Sequence, residues 1–243
     1  MVKLPRVRFV RVLGTSLPST VAALVALMAG ATILGVLMAH AGVPLLMAAA
    51  LVPEQVLQGE LWRLLTWTFI EPDPIGLIFS CLLLAWLGRD LSHAWGHWRF
   101  VGVYLVFAAI VAATTCALAL AWPALRTRAY LTAWAMGDAI LVAWATQFPY
   151  RQILAYFVIP VGGRNLVLLT VAGTLLFAVF SGPAAFIPHF VAIGFMLVFA
   201  RYPALDLIWL RLRLMLLRRG PARRNSGGLH VVRGEEQKSR WLH

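Results

Sequence analysis

Acidic side chains are scarce in this chain. Asp and Glu number nine among 243 residues against 21 Lys and Arg, and charged residues of both signs make up only 12%. That is too little charge to solvate the surface of a soluble domain of this length. Cysteine is nearly absent as well: the two thiols, Cys81 and Cys116, fall in apolar runs, which makes them packing residues rather than a disulfide. No CxxC pair, His-rich tract, Walker loop or GxGxxG occurs, so no metal, nucleotide or redox cofactor is expected. The first apolar run is longer than a signal-peptide core and lacks a cleavage site, and it is expected to stay as a membrane span.

What the chain has in abundance is hydrocarbon, at 61% hydrophobic residues. A bilayer core roughly 30 Å thick takes about 20 apolar residues per helix. Windows of about that kind recur at 19–42, 75–87, 100–122, 130–148, 166–180 and 184–202, the second and fifth being short. The expected fold is therefore an all-α membrane protein of six transmembrane helices. Lys and Arg are retained on the cytoplasmic side, and an N-in, C-in arrangement places nearly all of them there. Lys3, Arg6, Arg8, Arg11, Arg89, Arg99, Arg151, Arg164 and the ten basic residues from Arg201 to Arg240 fall inside, leaving Arg63, Arg126 and Arg128 outside. The net charge of +12 is mostly this topological signal, so nucleic acid is not an expected partner.

The expected organisation is a basic cytoplasmic N-terminus at 1–18, a six-helix membrane domain at 19–203, a basic amphipathic helix at 204–220 and a disordered cytoplasmic tail at 221–243. The amphipathic segment sets Ile208, Trp209, Leu212 and Leu216 along one side and ends in arginines, the pattern of a helix lying on anionic lipid. Between the first two spans, the loop at 43–74 is neither polar nor long enough in apolar residues to cross. With Trp62 and Trp67 near Arg63, it reads as an interfacial segment. Glu54, Glu60, Glu71 and Asp73 form the acidic cluster of the outer side. Ala135, Ala139 and Ala143 on the fourth span, and Ala31, Gly35 and Ala39 on the first, make flat ridges for close helix packing. Asp138 and His189, on the fourth and sixth spans, are ionisable groups at membrane depth, which are expensive and usually face a partner or a water-filled cavity.

Several segments also carry a family resemblance. "GELWRLLTWTFIEPD", then "GRDLSHAWGHWRFVGVYL", then a span ending in "QFP" and continuing "FVIPVGGRNL" together resemble the rhomboid superfamily of intramembrane serine proteases, from Leu57 to Tyr202. The landmarks are the Trp62–Arg63 pair of the first loop and the stretch from Trp95 to Leu105. The resemblance implies a rhomboid-like six-helix bundle, N-in and C-in, with the fourth and sixth spans adjacent, so that Asp138 and His189 touch directly or through water. It also implies a GxSG serine on the fourth span and a histidine base on the sixth. His189 stands at the base position, but the serine position falls on Met136 or Trp134, neither of which is a nucleophile. Gly76 and Ser80 replace the His and Asn that help hold the oxyanion.

The expectation from these substitutions is an inactive relative. It binds transmembrane segments of client proteins without cutting them, by lateral access between the second and fifth spans to a polar cavity lined by Asp138, His189 and Ser80. Two other readings stay open: an active protease using Ser80, Cys81 or Thr132 as an atypical nucleophile, and a small proton-linked transporter using Asp138 and His189 as a relay. The expected partners are membrane lipids and client proteins, with no cofactor or metal. The Ala, Leu and Arg-rich composition suggests a bacterial inner membrane.

Overall fold

A computed structural model describes residues 9–12, 15–155 and 159–201. The expected amphipathic helix at 204–220 and the tail at 221–243 lie outside the described residues, as does most of the basic N-terminus.

Apolar runs become helices because hydrocarbon offers the backbone N–H and C=O groups no partners other than one another. In chain order a short hairpin, β1 (Phe9–Val12) and β2 (Thr15–Pro18), leads into α1 (Ser19–His40). The first loop follows with three short helices, α2 (Leu45–Ala49), α3 (Pro53–Leu57) and α4 (Arg63–Thr66), and a 3-10 turn at Trp67–Phe69. Then come α5 (Pro74–Trp95), α6 (His97–Ala121) and α7 (Trp134–Gln147). A second hairpin, β3 (Gln152–Ala155) with β4 (Ile159–Gly162), precedes α8 (Gly163–Ser181) and α9 (Ile187–Arg201). Five of these helices are long and apolar enough to cross a membrane: α1, α5, α6, α8, and α9 with the 3-10 turn at Pro183–Phe186 ahead of it.

The element lengths depart from the sequence windows in three places, one of them the fifth window, expected to be short, where α8 runs 19 residues. The second span is a full 22 residues rather than a short one. Its polar end lowers the hydropathy, but Asp90 there accepts from Trp144 Nε1 at 3.0 Å and pairs with Arg151 at 3.2 Å. At its start Asp73 caps Gly76 N–H and Pro74 occupies the first turn, both favourable there. The short helix is instead α7, with 14 residues. It starts four residues later than its apolar window because Tyr130 is extended, exchanging backbone hydrogen bonds with Leu51.

The helix α7 is the centre of the bundle, with α5, α8 and α9 packed around it. Its alanine ridge is shut against neighbours: Ala135, Ala139 and Ala143 are all buried. At its far end the first residue of α8 must be glycine, since a Cβ on Gly163 would lie 2.7 Å from the Ala145 carbonyl oxygen and 2.9 Å from that of Phe148. Gly96, at φ 93°, lets the chain reverse between α5 and α6 within one residue.

Arg63 is not a solvated interfacial head group. It is 4% exposed and donates from Nη1 to the carbonyls of Met47 and Ala50 at 2.6 and 2.7 Å, and from Nε to Glu60 at 2.6 Å. The buried guanidinium thus ties α2 and the residue after it to the start of α4. Trp67 is fully buried, while Trp62 is exposed and donates Nε1 to Ala48 O at 3.2 Å.

Candidate functional site

The Asp138 and His189 side chains meet across the α7–α9 contact, with Asp138 Oδ2 and His189 Nδ1 at 2.7 Å, both residues buried. From α8 comes Thr174, whose hydroxyl lies 2.9 Å from the Thr170 carbonyl of the same helix and 3.5 Å from the same Asp138 oxygen. The second contact is the weaker, at the limit of hydrogen-bond length. Both hydrogen bonds of the Asp138 side chain fall on Oδ2, and among the described residues Oδ1 makes none. Phe186 covers one side of the imidazole, ring centroids 4.9 Å apart.

Helical spacing sets what surrounds this carboxylate. Trp134, Asp138 and Leu141 recur at i, i+4 and i+7 and therefore share one line of α7. On a helix otherwise closed to solvent as far as Ala145, Trp134 is exposed and Leu141 half-buried, so this line is the least covered. The neighbouring α8 is held by a narrow stripe: Leu166, Thr174 and Ala178 are buried, and Leu168, Phe177, Val179 and Phe180 are exposed. On α5 the uncovered stripe is Ile75, Ile78 and Trp86.

The other residues singled out by sequence are dispersed. Met136 is buried on the opposite face of α7, against a small apolar void that Leu91, Phe107 and Met196 also line. Ser80 is buried with its Oγ unpartnered among the described residues, and no hydrogen bond joins it to Asp138 or His189. Cys81 and Cys116 are free thiols. No hydroxyl or thiol among the described residues hydrogen-bonds to His189.

A second buried carboxylate, Glu71, sits at the start of α7. Its Oε2 accepts from Thr132 Oγ1 at 2.9 Å and from Ala133 N at 3.1 Å, while Thr132 Oγ1 in turn accepts from Trp134 N at 3.1 Å. Glu71 N–H donates to Thr32 Oγ1 of α1 at 3.1 Å. Thr132 is thus a helix cap. Burial pushes the Glu71 carboxyl above the usual carboxylate range, helped by the charge of Asp73 and opposed by the donors from Thr132, Ala133 and Asp73. Sequence reading placed Glu71 only in an outer acidic cluster; its distant partner, 61 residues on, left no local signal. Thr174 was missed too, although Thr170 and Thr174 stand at i and i+4 in an otherwise apolar helix. Close by, Tyr130 donates to Ala184 O at 2.9 Å, and its hydroxyl pKa is pushed up to about 12, chiefly by burial.

An all-helical membrane bundle with polar groups shut inside it defines an integral membrane protein. The comparison with protein families narrows this. The family described as "Eukaryotic integral membrane protein (DUF1751)" matches residues 21–201, and the chain belongs to that family. No curated protein matches it.

The family match corrects two expectations. The rhomboid assignment is replaced by membership of this eukaryotic membrane family. The motifs that suggested it have local work in the fold: Trp62 and Arg63 staple the first loop, and Trp95, Gly96 and His97 turn the chain between α5 and α6. The bacterial inner membrane is likewise replaced. The integral-membrane part of that expectation stands, but the family is described as eukaryotic, and an Ala, Leu and Arg-rich composition reports the bilayer rather than the organism.

Proposed function

We propose that this protein is a membrane-embedded receptor for transmembrane segments of other membrane proteins, which it holds without cleaving. The observation that carries this reading is Asp138, a carboxyl group on the least covered line of the central helix, with one oxygen against His189 and the other without a hydrogen-bond partner among the described residues. Ionisable groups within a bundle are costly, and where they persist they mark a function more often than not. Peptide hydrolysis by this pair would need a nucleophile against His189, and no hydroxyl or thiol among the described residues hydrogen-bonds to it. The apolar stripes left on α5 and α8, two of the helices packed against α7, suit a guest helix, because association in lipid depends on packing and interhelical hydrogen bonds.

The proposal includes six crossings, with α7 as the fourth, and both chain ends on the cytoplasmic side. Two sets of contacts support it. The first loop pairs with the segment before α7 through Leu51–Tyr130 and Glu54 N to Arg126 O, as two loops on one side would. At the opposite end of α7, Asp90 joins Trp144 and Arg151, and Trp95 donates to Gln147 at 3.3 Å, gathering the expected cytoplasmic segments.

Photo-crosslinking in native membranes tests the reading. Photoreactive residues at Ile78 on α5 and Phe177 on α8 are expected to form adducts with membrane proteins, and one at Leu34 on the exposed side of α1 only with lipid. Lipid adducts alone from all three positions would remove the proposal.

A further inference from the structure

The free oxygen of Asp138 specifies more than that a guest binds, and the inference drawn from it rests on the receptor reading above. His189 meets this carboxylate at 2.7 Å on Oδ2, and the Thr174 hydroxyl reaches the same atom at 3.5 Å while making its shorter bond to Thr170 O. A carboxylate oxygen is an acceptor only. With Asp138 ionised, whatever completes the site must therefore be a donor. Apolar side chains cannot supply a donor, and another carboxylate would add like charge where it is most costly. Among donors on a transmembrane segment, lysine and arginine combine hydrogen bonding with the opposite charge and a stem long enough to reach a recessed group.

Access matches that chemistry. Asp138 is 8% exposed, set between exposed Trp134 and half-buried Leu141 on one line of α7. A recessed acceptor flanked by an indole and an aliphatic side chain suits a flexible aliphatic stem ending in a cation. The adjoining α8 packs through Leu166, Val167, Val171, Thr174 and Ala178 and leaves Leu168, Phe177 and Phe180 exposed, an apolar face against which the rest of a guest helix can lie.

We infer that the guest is a transmembrane segment carrying a lysine or arginine within its apolar stretch, and that its cationic nitrogen donates to Asp138 Oδ1. The guest's charge is neutralised by the carboxylate and the receptor's open acceptor by the guest, so each offsets the other's cost of burial. Segments that are apolar throughout pack on α5 and α8 without this term and bind more weakly.

The test uses the full chain reconstituted in phosphatidylcholine vesicles with labelled single-span Leu-Ala peptides that carry Arg, Leu or Glu at each of three depths. Binding is read by energy transfer. At one depth the Arg peptide is expected to bind roughly tenfold more tightly than the Leu peptide, the order of effect that interhelical polar contacts give, and the Glu peptide no better than Leu. The preference is expected to vanish in Asp138→Asn and to persist in Asp138→Glu. A photoreactive residue at Leu141 in the otherwise native chain, which does not depend on the Asn variant folding, should capture the Arg peptide over the Leu peptide. Equal binding of all three peptides, or an Arg preference that survives in folded Asp138→Asn, overturns the inference and leaves the receptor reading intact. Failure of folded protein to bind any peptide removes the receptor reading, and the inference with it.

Discussion

At Arg63 a single side chain holds a whole loop. Two carbonyls and one carboxylate converge on its guanidinium, and no other residue type offers a planar fork of donors with a permanent charge. Arg63→Ala leaves the buried Ala50 carbonyl unpaired and takes the donor from the Met47 carbonyl and Glu60, and the expected loss of stability is on the order of 3 kcal/mol. A lowered thermal midpoint in detergent, unrescued by Arg63→Lys, would show it; an unchanged midpoint would mean that water replaces the guanidinium. This residue was legible in the sequence as a landmark but misread as to environment. An arginine beside a tryptophan is the usual interfacial pair, and only the course of the chain from Met47 to Ala50 turns it inward. Asp138 and His189 were legible for the opposite reason. Charged and polar groups are so rare in the apolar runs that each one stands out, whereas Ser80, equally conspicuous, takes no part in their hydrogen bonding.

At the scale of elements, the start of α7 is set by a residue far from it in sequence. Glu71 accepts the Ala133 N–H at the N-cap of α7 and ties it to α1 through Thr32, while its burial raises its pKa. A carboxyl whose folded pKa lies above the unfolded value of 4.5 binds its proton more tightly when folded. Its contribution to stability is thus fully present below pH 4.5 and is lost as pH rises through the higher folded value. Glu71→Gln keeps an acceptor for Thr132 and Ala133 and cannot ionise. Its stability against pH is expected to be flatter than the wild type's across that window, with the difference largest on the alkaline side. Parallel curves for the two proteins would sink the assignment. The apolar windows located every long helix, because hydropathy reports burial in lipid directly, but they misjudged ends. Polar residues at the C-terminal end of α5 find partners on other elements, and Tyr130 is drawn into a β-bridge, neither of which a window can register.

For the whole molecule, what matters is that the helix carrying the candidate site is the shortest of the bundle. At 14 residues and a rise of 1.5 Å each, α7 reaches only about 21 Å, less than the roughly 30 Å hydrocarbon core. It is wrapped by α5, α8 and α9, so its partner is protein on nearly every side and it has no need to match the bilayer. That has a consequence for biogenesis. A segment so short, with Gly137, Asp138, Thr146 and Gln147 in it, has little to retain it in the membrane while it emerges alone from the ribosome. It should enter only when α8 and α9 arrive to enclose it. A cysteine at the exposed Tyr150 reports the outcome through labelling by a membrane-impermeant maleimide. In the full chain it is expected on the same side as Arg89; in a chain ended after Gly162 it is expected on the opposite side. Labelling from the same side in both would mean that α7 inserts unaided. Otherwise the central helix is the last piece of the bundle to be put in place, and the site it carries exists only once synthesis has passed α9.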